Sequence, residues 1–231
     1  MFFLKLKTPV VFINFKTYEE ATGRNALALA KKASLVSKKT KKTIVLVVQA
    51  ADIRLVSEKT KMHIFAQHID AIEQGAYTGW TSPAAVKEAG AIGTVLNHAE
   101  HKLDNSVLEK SIALAKKNSL LVMACAENLE RAEQIAGFES KPDFIAIEPP
   151  ELISGNVSVS TARPGLVSDS AEAIKKIAPE IKAITGAGIK NSFDVSKAIE
   201  LGTLGVFVAS GIVKAPNQQK AILEIVSGLK K

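Results

Sequence analysis

Three ionisable side chains of this chain sit where they could do chemistry: Glu148, His98 and Lys16. Glu148 closes the apolar run Phe144–Ile147 and precedes Pro149–Pro150. A carboxylate there is either a salt-bridge partner at the mouth of a sheet or a general base. The next segment favours the base. Leu152-Ile153-Ser154-Gly155-Asn156-Val157 lacks helical periodicity and is bounded by rigid prolines and a glycine, which describes a lid with hinges. A lid over a carboxylate excludes water and raises its basicity.

His98 follows Leu96 by two residues. A lone histidine is commonly a satisfied structural residue, and metal ligation needs partners. The chain has no HxH, HxxxH or CxxC spacing, so no metal is expected. A neutral imidazole donating a hydrogen bond to a carbonyl is the functional reading. Lys16 follows the buried run Val10–Ile13 at once, with Asn14 placed to orient it. A surface lysine is less expected there than a fixed cation. Cys125 has no base paired with it by sequence and reads as a packed thiol beneath the site.

Two groups of small residues complete the set. Gly186-Ala187-Gly188 follows the run Ile181–Ile184, and Ala209-Ser210-Gly211 follows Gly205–Val208. Either glycine turn alone is a backbone necessity more often than a site. Together, at adjacent strand ends, they let backbone N–H groups approach a phosphate.

The elements that must position these residues alternate. Short apolar runs recur at Val10–Ile13, Thr43–Val48, Met62–Ala66, Ile92–Leu96, Leu120–Ala124, Phe144–Ile147, Ile181–Ile184 and Gly205–Val208, and helical patterns separate them. Continuous apolar runs mean strands buried on both faces, as in parallel sheets. Helices are expected over Ala26–Ser37, over Pro83–Ala89 with Gly90 as a stop, and after Asp104. Further helices are expected from Ser168 or Asp169 through Ile177, from Asn191–Ser192 to Ile199, and from about Pro216. Eight strand–helix units of about 29 residues fit a closed α/β barrel, (β/α)8, better than an open doubly wound sheet. No linker or composition shift divides residues 1–231, so one domain is expected.

Composition excludes several classes. With one cysteine, no intramolecular disulfide forms and a reducing compartment is the default. No apolar stretch of membrane-spanning length exists, and no signal peptide is legible at the start, so a cytoplasmic protein without a membrane partner is expected. The net charge of +7 invites a nucleic-acid reading. The lysines, however, crowd into Lys31–Lys42 or are scattered, and aromatics are only 5%, too few for base-stacking platforms. A solvated lysine-rich surface is the better account.

With these residues in place, the chain resembles the triosephosphate isomerase family in its compact archaeal form, essentially end to end. The resemblance rests on Asn14-Phe15-Lys16-Thr17-Tyr18-Glu19-Glu20-Ala21-Thr22-Gly23, Gly75-Ala76-Tyr77-Thr78-Gly79, Gly93-Thr94-Val95-Leu96-Asn97-His98-Ala99-Glu100, Ile147-Glu148-Pro149-Pro150-Glu151-Leu152-Ile153, Gly186-Ala187-Gly188-Ile189 and Val208-Ala209-Ser210-Gly211. Each motif is modest; in the right order at the right strands they are specific. The resemblance implies a TIM-barrel fold and interconversion of glyceraldehyde 3-phosphate and dihydroxyacetone phosphate, without cofactor or metal. It implies Glu148 as base, His98 as neutral electrophile, and Lys16 as the cation for phosphate and enediolate. Asn14 would bind a substrate oxygen, and Glu100 would support the network. Ile153, Ser154, Gly186, Gly188, Ala209 and Ser210 would bind the phosphate. Thr78 and Trp80 would contact a second subunit of a homodimer or homotetramer.

The chain departs from the family at Ala99, where serine is usual, at Ser154, where glycine is usual, at Trp80, and at His101-Lys102, where an arginine is usual. Two alternatives compete with the isomerase: another phosphate-binding barrel isomerase, and a catalytically degraded phosphate-binding homologue.

Overall fold

A computed structural model describes residues 6–152 and 158–229. The eight apolar runs become eight parallel strands: β1 (Val10–Asn14), β2 (Thr43–Val48), β3 (His63–Ala66), β4 (Gly93–Leu96), β5 (Leu121–Ala126), β6 (Phe144–Ile147), β7 (Lys182–Thr185) and β8 (Gly205–Val208). Each pairs with the next, and β8 returns to β1 through Val10–Gly205 and Ile13–Val208, closing the barrel. Closure leaves no exposed sheet edge.

Strand side chains alternate between two cores. Phe12, Val45, Val47, Phe65, Phe144 and Phe207 fill the barrel interior. Val11, Ile13, Ile44, Leu46, Ile145 and Ile147 face the helices. Inside, Phe12 meets Phe65, Phe144 and Phe207 edge-on, with ring centroids 5.4, 5.3 and 6.5 Å apart. That plug makes the barrel a packed core, so a ligand has room only at its ends.

The helices are α1 (Arg24–Thr40), α2 (Ile53–Lys59), α3 (Pro83–Glu88), α4 (Asn105–Lys117), α5 (Leu129–Ala136), α6 (Val159–Ala162), α7 (Pro164–Ile177), α8 (Ser192–Glu200), α9 (Ser210–Val213) and α10 (Gln218–Ser227). Several start where capping chemistry dictates. Asn128, Asn191 and Asn217 accept from the backbone N–H of Arg131, Asp194 and Lys220, satisfying donors that a helix start leaves open.

Most boundaries shift by a residue or a few from the sequence reading, and three of the shifts have a physical reason or bear on the site. α7 begins at Pro164, not at Ser168 or Asp169, because proline suits a first helical position and outweighs the capping signal four residues on. The last helix starts at Gln218, after its Asn217 cap and not at Pro216. β5 extends to Ala126, so Cys125 lies within the strand and points into the barrel core. Among the described residues, no helix is long and apolar enough to cross a membrane.

Candidate active site

The lysine sits on strained backbone. Lys16 has φ +47°, in the left-handed region that side-chain-bearing residues avoid, a conformation that costs about 1–3 kcal/mol. Its N–H donates to Asn14 Oδ1 at 3.0 Å, and its carbonyl accepts from Gln67 Nε2 at 2.8 Å. Asn14 is the last residue of β1, so the barrel itself fixes the first of these contacts. The buried side chain then reaches Glu100, with Nζ 2.7 Å from Oε1. Because Glu100 is 59% exposed, the pair aims the ammonium more than it stabilises the fold.

The histidine is held by the turn after β4. Asn97 is also left-handed, at φ +57°. Its amide donates to the Cys125 carbonyl at 2.8 Å and accepts from the N–H of Leu103 at 2.9 Å. His98 Nδ1 accepts the N–H of Glu100 at 3.1 Å. A nitrogen that accepts a hydrogen bond carries no proton, so the imidazole is uncharged and its proton sits on Nε2. Glu100 Oε2, 3.5 Å from the same Nδ1, is therefore a neighbour and not an ion-pair partner. Nε2 faces Glu148, with 3.8 Å to Oε1. That gap is too long for a hydrogen bond.

Glu148 continues β6, its N–H bonded to the Ala126 carbonyl at 2.8 Å. The side chain is 3% exposed, and Oε2 has no hydrogen-bond partner among the described residues. Burial pushes its pKa above the ordinary carboxylate value, while His98, the Cys125 thiol and Lys16 pull the other way and Glu100 adds to the rise. Burial is the largest of these influences, so the net direction is upward. Cys125 is buried beside this carboxylate, and burial raises its thiol well above the usual range, so it is protonated and not a nucleophile.

Gly186 also has a steric relation to Glu148. A Cβ on it would lie 2.2 Å from Glu148 Cγ, closer than any real contact, so only glycine leaves room for the Glu148 side chain. Asn14, Lys16, His98, Glu148, Gly186, Gly188, Ala209 and Ser210 line one pocket, together with Ile189, Lys190, Phe207, Val208 and Gly211. Gly188 takes φ +72° there, and the Lys190 N–H is fixed by Asp194 Oδ2 at 2.9 Å.

The structure thus joins most of the residues singled out in the sequence. Glu100 borders an adjoining cleft with Lys16, His98, Gln67 and His101. Thr78 and Trp80 stand apart on the exposed loop after β3, where Trp80 packs edge-on to Tyr77 at 6.4 Å. Ile153 and Ser154 lie outside the described residues. Gln67, Asn97 and Lys190 had been given no role. Gln67 carried the same signal as Lys16, a polar residue directly after a buried strand. Among the described residues, no three His, Cys, Asp or Glu side chains come together in a way that could hold a metal ion.

A carboxylate made basic by burial, facing an uncharged imidazole across one short gap, equips a proton-transfer enzyme of the (β/α)8-barrel class. Likeness to known proteins narrows that class. The family model described as "Triosephosphate isomerase" matches residues 9–228. Proteins named triosephosphate isomerase from Methanothermus fervidus and Methanobacterium bryantii are 41% and 42% identical to this chain. The alignments cover 95% and 96% of this chain and 98% and 97% of theirs. The chain belongs to the triosephosphate isomerase family. A crystal structure of triosephosphate isomerase from Bartonella henselae superposes with a TM-score of 0.71 over 95% of this chain and 97% of its own, and at 16% identity it speaks for the fold alone.

Proposed function

We propose that this pocket interconverts glyceraldehyde 3-phosphate and dihydroxyacetone phosphate through an enediolate. Family membership supports the reaction, and the 3.8 Å gap between Glu148 Oε1 and His98 Nε2 carries the assignment of roles. Glu148 removes the proton from the carbon beside the carbonyl, and the released electron pair forms the carbon–carbon double bond of the enediolate. His98 donates from Nε2 to the oxygen that becomes negative, and the proton moves between the two oxygens. Glu148 returns its proton to the neighbouring carbon, completing the exchange with no net loss of atoms or charge. Lys16 stabilises the enediolate and the phosphate by charge, and Asn14 binds a substrate oxygen. The glycine-bearing turns after β7 and β8 take the phosphate.

The closed barrel supports reading residues 1–231 as one catalytic domain. The exposed Tyr77–Trp80 pair borders a groove with Ile72, Leu103 and Val107, which favours self-association as a homodimer or homotetramer, measurable as mass in solution. We place the enzyme in the cytoplasm, in glycolysis and gluconeogenesis.

A coupled assay of glyceraldehyde 3-phosphate isomerisation tests the reading. Wild-type protein turns over, and Glu148→Gln lowers kcat by about 10²–10⁴-fold while inorganic phosphate still inhibits. Full turnover by that variant would remove Glu148 from the base role.

A further inference from the structure

Lys16 is held in a conformation it would not choose, and both of its backbone polar groups are satisfied by side chains. Asn14, two residues earlier at the end of β1, takes the N–H. The carbonyl is taken by Gln67, which is 51 residues away in sequence. The local contact belongs to the turn itself. The distant one ties that turn to the rest of the barrel.

Gln67 is well placed for the task. Its own N–H donates to the Val48 carbonyl at 3.2 Å, so its backbone is an extension of the β2–β3 ladder. Its amide reaches past β2 to Lys16, and Nε2 also lies 3.5 Å from the Val47 carbonyl. Both groups facing Nε2 are carbonyl oxygens. Only the NH2 end of the amide suits that position, so its orientation follows from its surroundings. The N–H of Phe15 donates to the same Val47 carbonyl at 2.9 Å. One amide therefore sits across the seam of β1, β2 and β3, directly beneath the lysine turn.

What depends on that turn is the direction of the ammonium. Lys16 Nζ rests on Glu100 Oε1, and the N–H of Glu100 sets the tautomer of His98. A relaxed Lys16 backbone would swing the side chain away from Glu100 and from the pocket. We propose that Gln67 is a positioning residue for the isomerisation: through one hydrogen bond to the Lys16 carbonyl it keeps the strained turn that aims the lysine into the pocket. This deepens the isomerase reading and rests on it.

Two near-isosteric variants of the full chain test the proposal. Gln67→Met keeps the shape and removes the donor. It should lower kcat/KM about tenfold and weaken competitive inhibition by inorganic phosphate several-fold, because a misplaced lysine loses both charge functions. Gln67→Glu supplies a donor to the carbonyl only when its carboxyl is protonated. Its activity relative to wild type should therefore climb as pH falls, a trend that loss of packing alone does not produce. Thermal unfolding of both variants accompanies the kinetics. The proposal is overturned if folded Gln67→Met matches wild type within about twofold in kcat/KM and phosphate inhibition. A pH-independent ratio for Gln67→Glu overturns it as well, as does loss of cooperative unfolding in both variants, which would make Gln67 a residue of the fold. The isomerase reading fails separately, by absence of turnover in wild type. In that event calorimetric phosphate affinity of wild type against Gln67→Met still reads the clamp.

Discussion

The two sides of the barrel mouth are built on opposite principles. At the ends of β1, β3 and β4, charged and amide side chains stand on a backbone that is strained at Lys16 and Asn97 and tied down by Asn14, Gln67 and the Cys125 carbonyl. At the ends of β7 and β8, five of the lining residues are glycine, alanine or serine, beside Ile189, Lys190, Phe207 and Val208. A side chain that carries charge into a transition state must be aimed, and aiming a flexible lysine takes several contacts. Backbone amides at a strand end are aimed already by the barrel. Within the mouth, the residues other than glycine that take a positive φ stand on the side-chain side. Of the four described residues other than glycine with positive φ, Lys16 and Asn97 are at the site, whereas Lys41 caps the end of α1 and Ser119 follows α4.

Gly186 is where the two sides meet, and altering it should have the largest effect. It belongs to the backbone side, yet the space above it holds the side chain of Glu148. Gly186→Ala places a methyl 2.2 Å from Glu148 Cγ. The carboxylate must shift by roughly an ångström, and misplacement on that scale costs about 10²-fold in rate. Steady-state kinetics should show the loss mainly in kcat, with inorganic phosphate inhibition changed less. A variant that lost phosphate affinity and kept kcat would assign Gly186 wholly to the anion side.

A thermodynamic prediction separates the carboxylate from its surroundings. Burial raises the Glu148 pKa above its unfolded value, so the folded chain binds that proton more tightly than the unfolded one. Stability from this group falls as pH rises through the interval between the ordinary and the raised value, and above it the ionised carboxylate is a constant cost. Glu148→Gln should therefore melt about 2–4 °C above wild type at pH 8. The advantage should shrink toward pH 5, as the wild-type carboxyl takes up its proton. With Glu148 in the proposed role of base, catalysis should run the other way, kcat/KM falling as that carboxylate is protonated. Scanning calorimetry at both pH values checks the sign, and an advantage that grows in acid would show that the carboxylate is stabilised in the fold.

Much of this was legible in the sequence because the barrel writes itself as repeated apolar runs, and the polar residue after each run falls at one mouth. That logic located Asn14, Lys16, His98, Glu148 and both small-residue turns. It did not find the role of Gln67, because a hydrogen bond to a main-chain carbonyl 51 residues away leaves no mark in residue type or spacing. It gave Gly186 only an anion role, because the need for an absent Cβ depends on where another strand sends its side chain. It placed Cys125 after its strand, since the small residues Ala124 and Ala126 end the apolar signal before the hydrogen-bonded ladder ends. Local chemistry was visible; contacts across strands required the fold.

The smallest effect belongs to Ser210, and it tests the backbone side directly. Ser210 lines the pocket as the first residue of α9, directly after Ala209. If main-chain groups bind the phosphate, the hydroxyl adds little to them. Ser210→Ala should then raise KM by no more than about threefold, equivalent to about 0.7 kcal/mol, and leave kcat within that range. A tenfold or larger rise in KM, with unchanged unfolding, would mean that the hydroxyl itself holds the phosphate. The two sides of the mouth would then share one design, each relying on positioned side chains, and the left-handed backbone at Lys16 and Asn97 would not be what positioning a side chain requires.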